Sequence, residues 1–351
     1  MSTLEESKLW LEIHQQPQAI RNSLSINRPI LQKIAHEVYH RNITTVVLVG
    51  RGSSDHANLL ARYLFEIYTP MIVSIGTPSV ITAYQGRVDY TKVLMIGVSQ
   101  SGGAQDVFEM MDACHKQGGL VVSITNVRDS LMTTTGSYAI NNECGVETSI
   151  TAAKSYITQL ALLTSLVAEI SGDEHLLGEI DRLADTVEDA LCLEDQVEAI
   201  IPKFRDVRKI LLFARGMMSA LTMETELKIQ ETCYLDARAY ASSDYRHGPI
   251  ASTELFIPTM FFIADKFTDY CPLDLLNRLK HEFQIFACVV TNKPELIPEA
   301  DLVIVLPSHC DGLRAVFASA VVSQMFACLL SIARGYDPDN PVGVTKNTVT
   351  R

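Results

Sequence analysis

The sequence predicts an α/β fold made of two similar halves, each a parallel sheet with helices on both faces. Two observations indicate this class. Short, continuous apolar runs alternate with amphipathic segments of helical period, which is typical of strands buried on both faces of a parallel sheet. This alternation begins a second time near residue 209. A chain of 351 residues is long enough for two such domains.

The first half supplies its elements in a regular order. Residues 8–40 have helical periodicity that is interrupted at Pro17 and Pro29, so we expect two or three short helices there. Strands and helices alternate after them. The predicted strands span 46–49, 71–75, 93–98, 120–125 and 138–140, and the predicted helices span 54–68, 105–116 and 152–170, followed by acidic helical segments over 174–198.

The second half repeats two motifs of the first. Residues 210–216 read ILLFARG, similar to VVLVGRG at 46–52, and CVVTN at 288–292 is similar to VSITN at 122–126. The spacing between the two motifs is also similar: Gly52 and Asn126 are 74 residues apart, and Gly216 and Asn292 are 76 residues apart. An internal duplication explains this similarity. We therefore predict N-terminal helices over 1–40, a first domain over 41–195 and a second domain over 196–351.

Composition argues against several classes of partner. The net charge of −12 leaves no extended basic surface for nucleic acids or anionic membranes. The eight cysteines include no C-x-x-C pair, so we interpret them as reduced core residues and expect neither disulfides nor a metal site. The N-terminus does not resemble a signal peptide, and no uninterrupted apolar stretch is long enough to cross a bilayer. We expect a cytoplasmic protein.

The most informative motif follows the strand predicted at 93–98. Residues 99–103 read SQSGG and lead into the helix predicted at 105–116. Such a loop offers N–H groups, hydroxyls and the positive end of a helix dipole to an anion. Because the chain has no G-x-x-x-x-G-K-[ST] run, we expect the phosphate of a small metabolite. The alternative is an ordinary strand-to-helix turn.

A second loop of this kind follows the first strand. Residues 50–56 read GRGSSDH and open the helix predicted at 54–68. In open α/β sheets, ligands bind beyond the carboxyl ends of the strands, so we favour one phosphate site shared with residues 99–102. The alternative for either Ser53 or Ser54 is the N-cap of the helix.

A helix in the second half carries charged residues on one face. Glu224, Lys228 and Glu231 follow one another at i, i+4 and i+7. One interpretation is a solvated salt-bridge face. The other, which the apolar neighbours favour, is a covered cleft in which a carboxylate and an ammonium group have shifted proton affinities and perform acid/base work.

Two further segments matter in combination with that helix. His247 lies in a predicted turn, where its common role is hydrogen bonding and the alternative is proton transfer on a sugar hydroxyl. Residues 340–351, which include Lys346, have no helical or strand period and by themselves are a frayed tail.

Taken in order, residues 99–102, 147–154, 224–249 and the Lys346 tail resemble the double sugar isomerase (SIS) domain family, in particular the isomerase half of glutamine–fructose-6-phosphate aminotransferase. The resemblance extends from about residue 40 to the end. Residues 50–57 are also similar to the loop of SIS-type glucosamine-6-phosphate deaminases. The glutaminase half of the aminotransferase does not precede these motifs, so we expect no glutamine-dependent synthesis.

The resemblance implies two tandem SIS domains, each a three-layer α/β/α structure, and a role for several residues. Glu231 would move a proton between C2 and C1 with Lys228 beside it, His247 would assist ring opening, and Lys346 would meet the open-chain sugar. The resemblance also implies a homodimer in which His247 reaches the neighbouring subunit's active site, and it implies no cofactor. The residues implied to hold the sugar phosphate are Ser53, Ser54, Ser99, Gln100, Ser101, Gly102, Ile150 and Ala152.

The predicted function is that of an amino-sugar phosphate deaminase/isomerase. A substrate such as glucosamine 6-phosphate would yield fructose 6-phosphate and ammonia through ring opening and C2-to-C1 proton transfer. One alternative is a fructosamine-6-phosphate deglycase, against which the tail residue Lys346 argues. The other is a non-catalytic sugar-phosphate-binding protein, against which the retention of Glu231, His247 and Lys346 argues.

Overall fold

The computed structural model describes residues 4–346, in which helices and parallel strands alternate. The strands are β1 (Thr45–Val49), β2 (Ile72–Ile75), β3 (Val93–Ser99), β4 (Leu120–Thr125), β5 (Tyr138–Asn141), β6 (Lys209–Ala214), β7 (Asp236–Ala241), β8 (Pro258–Ile263), β9 (Phe286–Thr291) and β10 (Leu302–Val305). The helices are α1 (Lys8–His14), α2 (Gln16–His40), α3 (Ser53–Tyr68), α4 (Ser79–Thr82), α5 (Gln105–Lys116), α6 (Lys154–Ser171), α7 (Glu174–Ile180), α8 (Leu183–Leu191), α9 (Glu194–Phe204), α10 (Met218–Cys233), α11 (Ser242–Tyr245), α12 (Tyr270–Phe283) and α13 (Leu313–Ala333).

The chain divides into two compact units, neither of which is continuous in sequence. The first unit comprises Gln16–Glu147, Lys154–Ala184 and Thr345–Arg351. The second unit comprises Met1–Gln15, Thr148–Ala153 and Asp185–Val344. Each unit contains one sheet, and the domain limits expected from the sequence stay a prediction.

The first unit contains a five-stranded parallel sheet in the order β2-β1-β3-β4-β5. Successive side chains of a strand point to opposite faces. On one face Val47, Val49 and Met95 pack with Val107 and Met111 of α5. The alternate residues of β1 and β3 are also fully buried, on the face where α3 packs against β1 and α6. Burial on both faces explains why the strands are continuously apolar.

The second unit repeats this arrangement with the order β7-β6-β8-β9-β10. Leu211, Phe213 and Phe261 form a core with Leu275 and Leu279 of α12. Helix α10 packs against β6, β7 and α13. Each unit is therefore a five-stranded parallel sheet flanked by helices, and the predicted α/β class is confirmed. The predicted strand limits of the first half, and the limits of the helices predicted at 54–68, 105–116 and 152–170, differ from those observed by at most two residues. The acidic helical segments extend to Phe204 instead of residue 198, and α4 was not predicted.

The N-terminal region departs from the expectation that proline interrupts its helices. Pro17 is the second residue of α2, where a missing N–H costs no helical hydrogen bond, and Pro29 lies inside the same helix. The helix continues past Pro29 because its apolar face, which includes Leu31 and Ile34, is buried and α2 packs against α6. Tertiary packing here outweighs the loss of one backbone hydrogen bond.

Helix α13 bears on the expectation that no uninterrupted apolar stretch is long enough to cross a bilayer. Its 21 residues have a mean hydropathy of 2.0 in the most apolar window, which satisfies a test for membrane spans by length and composition, even though Ser319, Ser323 and Gln324 interrupt the run. The same window is 94% buried inside the protein, where α13 packs against α9 and α10. The helix is the core helix of the second unit.

The cysteines are all free thiols, and six of the eight are buried. Burial raises the pKa of both the Cys233 and the Cys288 thiol to about 12. Their interpretation as core residues is confirmed for the buried six.

Candidate functional site

The two glycine- and serine-rich loops lie at one edge of the sheet of the first unit. Strands β1 and β3 are neighbours, with Val49 aligned with Gly97, so residues 50–54 and 99–104 leave the sheet side by side. From β1 the chain proceeds to β2 on one side and then to β3 on the other, which is a topological switch point. At such a point a crevice opens beyond the carboxyl ends of the strands.

The loop after β3 is shaped by its own hydroxyl groups. The Ser99 Oγ accepts the N–H of Gly102 at 3.1 Å, and the Ser101 Oγ accepts the N–H of Gly103 at 3.3 Å. Gly102 has a φ of +63°, and a Cβ at this position would lie 2.1 Å from the Ser130 Oγ. The loop therefore requires glycine at position 102, both for its backbone conformation and for its contact with Ser130.

Helices α3 and α5 begin at these loops without a side-chain cap. Their N-cap residues are Gly52 and Ala104, and neither position supplies a capping hydrogen bond. The alternative that Ser53 or Ser54 is the N-cap is wrong, because both serines lie in the first turn of α3. Two positive helix ends thus start at one crevice, next to serine hydroxyls, and this is an environment that favours an anion.

An ion pair that the sequence analysis missed connects the two loops. The Arg51 Nε donates to the Asp106 Oδ2 at 3.0 Å, and the guanidinium makes a second contact with the same oxygen. Asp106 lies in the first turn of α5, and its Oδ1 accepts the N–H of Val107 at 2.9 Å. The adjacency of β1 and β3 is the signal that predicts this pair, since Arg51 and Asp106 both follow the ends of those strands closely.

Helix α10 of the second unit brings together the charged residues spaced at i, i+4 and i+7. The Lys228 Nζ lies 2.8 Å from the Glu231 Oε2 and 3.4 Å from the Glu224 Oε1. The side chains of Lys228 and Glu224 are 1% and 2% exposed, whereas that of Glu231 is 18% exposed. The stripe is therefore a covered cluster, and Glu231 is its most accessible carboxylate.

The protonation of this cluster follows from the balance of burial and charge. Burial alone favours the neutral amine of Lys228, but the Glu231 and Glu224 carboxylates outweigh it and raise the pKa of Lys228 above its ordinary value. Lys228 is consequently an ammonium group at neutral pH. It can donate hydrogen bonds and stabilise negative charge, but it cannot act as a base.

His247 lies in the turn after α11 and is exposed. Its N–H donates to the Asp244 carbonyl at 3.0 Å. Among its described contacts there is none with Lys228 or Glu231. An exposed imidazole in a turn is accessible to groups outside the unit.

Lys346 contacts a buried carboxylate of the first unit. Its Nζ lies 3.0 Å from the Glu147 Oε2. The Glu147 carboxylate also accepts the Ser155 N–H at 3.0 Å and the Ser155 hydroxyl at 2.7 Å. The tail lysine is therefore part of an ordered cluster at the start of α6, although residues 334–346 form neither helix nor strand.

The stretch that contains Ile150 and Ala152 belongs to the second unit. It is hydrogen-bonded to Glu12 and Asp339, which are distant from it in sequence. The Glu12 carboxylate accepts the Thr148 hydroxyl at 3.0 Å and the Ser149 N–H at 3.3 Å. The Asp339 carbonyl accepts the Ile150 N–H at 3.5 Å. Ile150 and Ala152 are themselves half-buried.

The predicted site residues thus form three groups with measured geometry. The first unit joins the loops of Ser53, Ser54, Ser99, Gln100, Ser101 and Gly102 at one sheet edge, and separately pairs Lys346 with Glu147. The second unit joins Lys228 and Glu231, and it also contains His247, Ile150 and Ala152. Over residues 4–346 no group of three or more metal-ligating side chains is present.

Comparison with known proteins finds a family model that matches part of this chain. Residues 40–169, which include both serine loops and Glu147, match the SIS domain. Glutamine–fructose-6-phosphate aminotransferase of Thermococcus kodakarensis is 27% identical to this chain over 351 residues, which cover 96% of this chain and 57% of that protein. The chain therefore spans little more than half the length of the curated relatives it matches.

Two solved structures have the same fold. The C-terminal domain of glucosamine-fructose-6-phosphate aminotransferase from Francisella tularensis has a TM-score of 0.86 and 22% identity, covering 97% of this chain and 100% of that one. Glucosamine-6-phosphate deaminase from Thermotoga maritima has a TM-score of 0.77 and 20% identity, covering 98% of this chain and 100% of that one. The resemblance to SIS-domain proteins predicted from the sequence is confirmed.

Proposed function

We propose that this chain, which carries an SIS domain, is a sugar-phosphate aldose–ketose isomerase that acts on amino-sugar phosphates. The observation that carries the proposal is the crevice between β1 and β3, where the starts of α3 and α5, whose N-cap residues supply no side-chain hydrogen bond, meet the hydroxyls of Ser99 and Ser101. This crevice lies inside the segment that matches the SIS domain. A phosphate dianion fits a pocket of donors in a chain whose net charge is otherwise negative.

The accessible carboxylate of the α10 cluster is suited to moving the proton. Glu231 pairs with the Lys228 ammonium and is more exposed than Glu224, so of the two carboxylates it is the one that a substrate can reach. In the open-chain aldose Glu231 takes the proton from C2, and the electron pair of that C–H bond forms a double bond between C1 and C2. Lys228 stabilises the negative charge that develops during this step.

The finer reaction that we propose is deamination of a substrate such as glucosamine 6-phosphate. Glu231 returns its proton to C1, which leaves a protonated imine at C2. Water adds to C2 and ammonia leaves, giving fructose 6-phosphate. The balance requires one water and no oxidant or reductant.

His247 and Lys346 have supporting roles in this proposal. His247 is exposed, which suits a residue that assists ring opening in the active site of a second copy in a homodimer. The ammonium group of Lys346 pairs with the oxygen or nitrogen of the open-chain sugar. Ile150 and Ala152 line the same substrate.

The test is a substrate panel followed by NMR in heavy water. Glucosamine, galactosamine, glucose, fructose and fructosamine 6-phosphates are supplied to the full chain, and ammonia release, amino-acid release from glycated amino-acid phosphates and deuterium incorporation at C1 and C2 are recorded. Exchange at C2 together with ammonia release from an amino-sugar phosphate supports the proposal. Turnover of fructosamine phosphates alone would favour the deglycase, and binding without exchange would favour a sensor.

Replacing Glu231 separates binding from chemistry. The Glu231→Gln variant keeps the hydrogen bond to Lys228 but has no basic oxygen, so we expect C2 exchange to fall by about 10²- to 10⁴-fold while sugar-phosphate affinity is retained. Gln230, an exposed neighbour on the same helix, provides the matched control as Gln230→Glu. Undiminished exchange in Glu231→Gln would show that another group is the base.

A further inference from the structure

We propose that Glu147 is the positioning residue for Lys346: it holds the ammonium group of the tail at a fixed place at the start of α6. The inference rests on the proposed function for the use of Lys346, but the contact itself is independent of that function. No role was expected for Glu147 from the sequence beyond its place in the motif at 147–154.

The Glu147 carboxylate is oriented by helix α6. Its Oε1 accepts the backbone N–H of Ser155, and its Oε2 accepts the hydroxyl of the same residue. The side chain of Glu147 is completely buried. Two donors from one residue fix both oxygens, so the carboxylate cannot rotate away without losing a hydrogen bond inside the protein.

A further contact of the Oε2 is with the tail. The Lys346 Nζ lies 3.0 Å from it, and the side chain of Lys346 is 26% exposed. Glu147 and Lys346 are 199 positions apart in sequence, and both belong to the first unit. The buried Glu147 carboxylate thus contacts an ammonium group that is still partly accessible from solvent. Such access is required of a group that contacts a substrate.

The need for such an anchor follows from the backbone of the tail. After α13 ends at Ala333, residues 334–346 have no helical or strand hydrogen bonds to fix their course. Earlier in this stretch the Val342 N–H donates to the Tyr234 hydroxyl at 2.7 Å in the second unit. Lys346 is four residues further on, a length over which an irregular backbone leaves a side chain several ångströms of freedom unless its end is held.

The expected consequence is catalytic and not merely structural. An error of about 1 Å in the position of a reacting group lowers turnover by up to about 10²-fold. We therefore expect Glu147→Gln to lower kcat by about tenfold with little change in KM, since the phosphate crevice is untouched. The double variant Glu147→Gln/Lys346→Met should be no slower than Lys346→Met alone, because Glu147 acts through Lys346.

A second readout needs no turnover. Acetylation of lysines with a limiting acylating reagent, followed by peptide mass spectrometry, measures how free each amine is. Lys346 should be acetylated several times faster in Glu147→Gln than in the unsubstituted protein. The internal reference is Lys116, an exposed lysine of the same unit that is paired with Asp112. Glu143→Gln, which removes a different carboxylate paired with Arg128, is the matched control and should leave the labelling of Lys346 unchanged.

The outcomes separate the two proposals. Absence of turnover on every sugar phosphate would defeat the proposed function, while the labelling would still decide the role of Glu147. Unchanged Lys346 labelling in folded Glu147→Gln, or losses of activity that multiply in the double variant, would overturn the positioning role. If Glu147→Gln does not fold, Ser155→Ala removes the hydroxyl that orients the carboxylate; a smaller rise in Lys346 labelling supports the inference and no rise overturns it.

Discussion

The two sheets share one strand order but have different residues at the switch point. In the first unit, the ends of β1 and β3 lead to serines and glycines, among which Ser53, Ser99 and Ser101 are half-buried. In the second unit, the equivalent ends of β6 and β8 lead to Asp265, which is 3% exposed and accepts the Phe267 N–H and the Thr268 hydroxyl, each at 3.1 Å. One crevice offers donors, whereas the other is filled by a carboxylate that its own loop satisfies.

The charges around the second crevice reinforce this difference. Asp269 accepts the Asp265 N–H at 2.7 Å and lies 3.3 Å from the Lys293 Nζ. The Asp265 N–H, the Phe267 N–H and the Lys293 ammonium group at this edge are therefore already bound to carboxylates of the same unit, and a phosphate would have to compete with those carboxylates. A repeated topology creates two positions where a ligand can bind. The residues after the strands determine which position is suited to an anion.

The largest effect is expected from removing the hydroxyls of the first crevice. In Ser99→Ala/Ser101→Ala the affinity for glucitol 6-phosphate, an open-chain ligand that cannot turn over, should fall on the order of 10²-fold or more, since a hydrogen bond to a charged group contributes about 1.5–3 kcal/mol. Isothermal titration calorimetry measures the change. Thr268→Val, at the equivalent crevice of the second unit, should not alter the affinity; equal losses in both variants would break the comparison.

The glycines at the two crevices provide a matched pair with a smaller effect. Gly102 and Gly216 have φ values of +63° and +64°, and an added Cβ would meet the Ser130 Oγ at 2.1 Å or the Thr268 Cγ2 at 2.8 Å. We expect Gly102→Ala and Gly216→Ala each to lower the free energy of unfolding by about 1–3 kcal/mol, with the larger loss at Gly102. Urea unfolding measures stability, and glucitol 6-phosphate titration should reveal a loss of affinity in Gly102→Ala alone.

The smallest effect concerns pH. Burial raises the pKa of Asp265 above its ordinary value of about 3.8. Between that ordinary value and the raised pKa, the folded state therefore binds more protons than the unfolded state. In this pH range Asp265 makes the free energy of unfolding fall as pH rises. Asp265→Asn should remove this slope, a change of about 1 kcal/mol or less. Burial also raises the pKa of Asp55 at the first crevice, where His56 and Arg51 oppose the shift.

Urea unfolding at several pH values from about 3.5 to about 6 measures both slopes. Because the neighbouring charges His56 and Arg51 lower the pKa of Asp55, whereas the neighbouring carboxylates of Asp269 and Asp311 raise the pKa of Asp265, Asp55→Asn should flatten the curve less than Asp265→Asn. A larger change in Asp55→Asn would mean that the two crevices do not differ electrostatically in the way their contacts indicate.

Much of the fold could be predicted from local sequence because the strands are buried on both faces. A strand such as β4 is buried at every position, is apolar except at Ser123 and Thr125, and is bounded by glycine and asparagine, so its limits were predicted correctly. Helix α5 was also predicted correctly from its period. The continuous α2 was not, because its stability past Pro29 depends on packing against α6, which a local pattern does not contain.

The candidate site was predictable in its parts but not in its connections. The spacing of Glu224, Lys228 and Glu231 places them together on any helix, so their cluster follows from sequence alone. The Glu147–Lys346 pair does not, because its partners are 199 positions apart and one lies in a tail without period. The alternative prediction of a serine N-cap for α3 was wrong because Gly52 occupies that position with a positive φ. The general preference for serine at N-caps does not anticipate this conformation.

The carboxylate of Asp339 has a mechanical consequence for the second unit. It accepts the N–H groups of Lys8 and Leu9 at 2.8 Å and the Ser7 hydroxyl at 3.1 Å, so α1 is capped by a residue 332 positions from Ser7. A force applied to the two ends of the polypeptide would load these three bonds early, before any strand is sheared. The segment around Lys8 and Leu9 and the segment around Asp339 therefore should detach from each other in one event, instead of fraying independently as chain ends usually do.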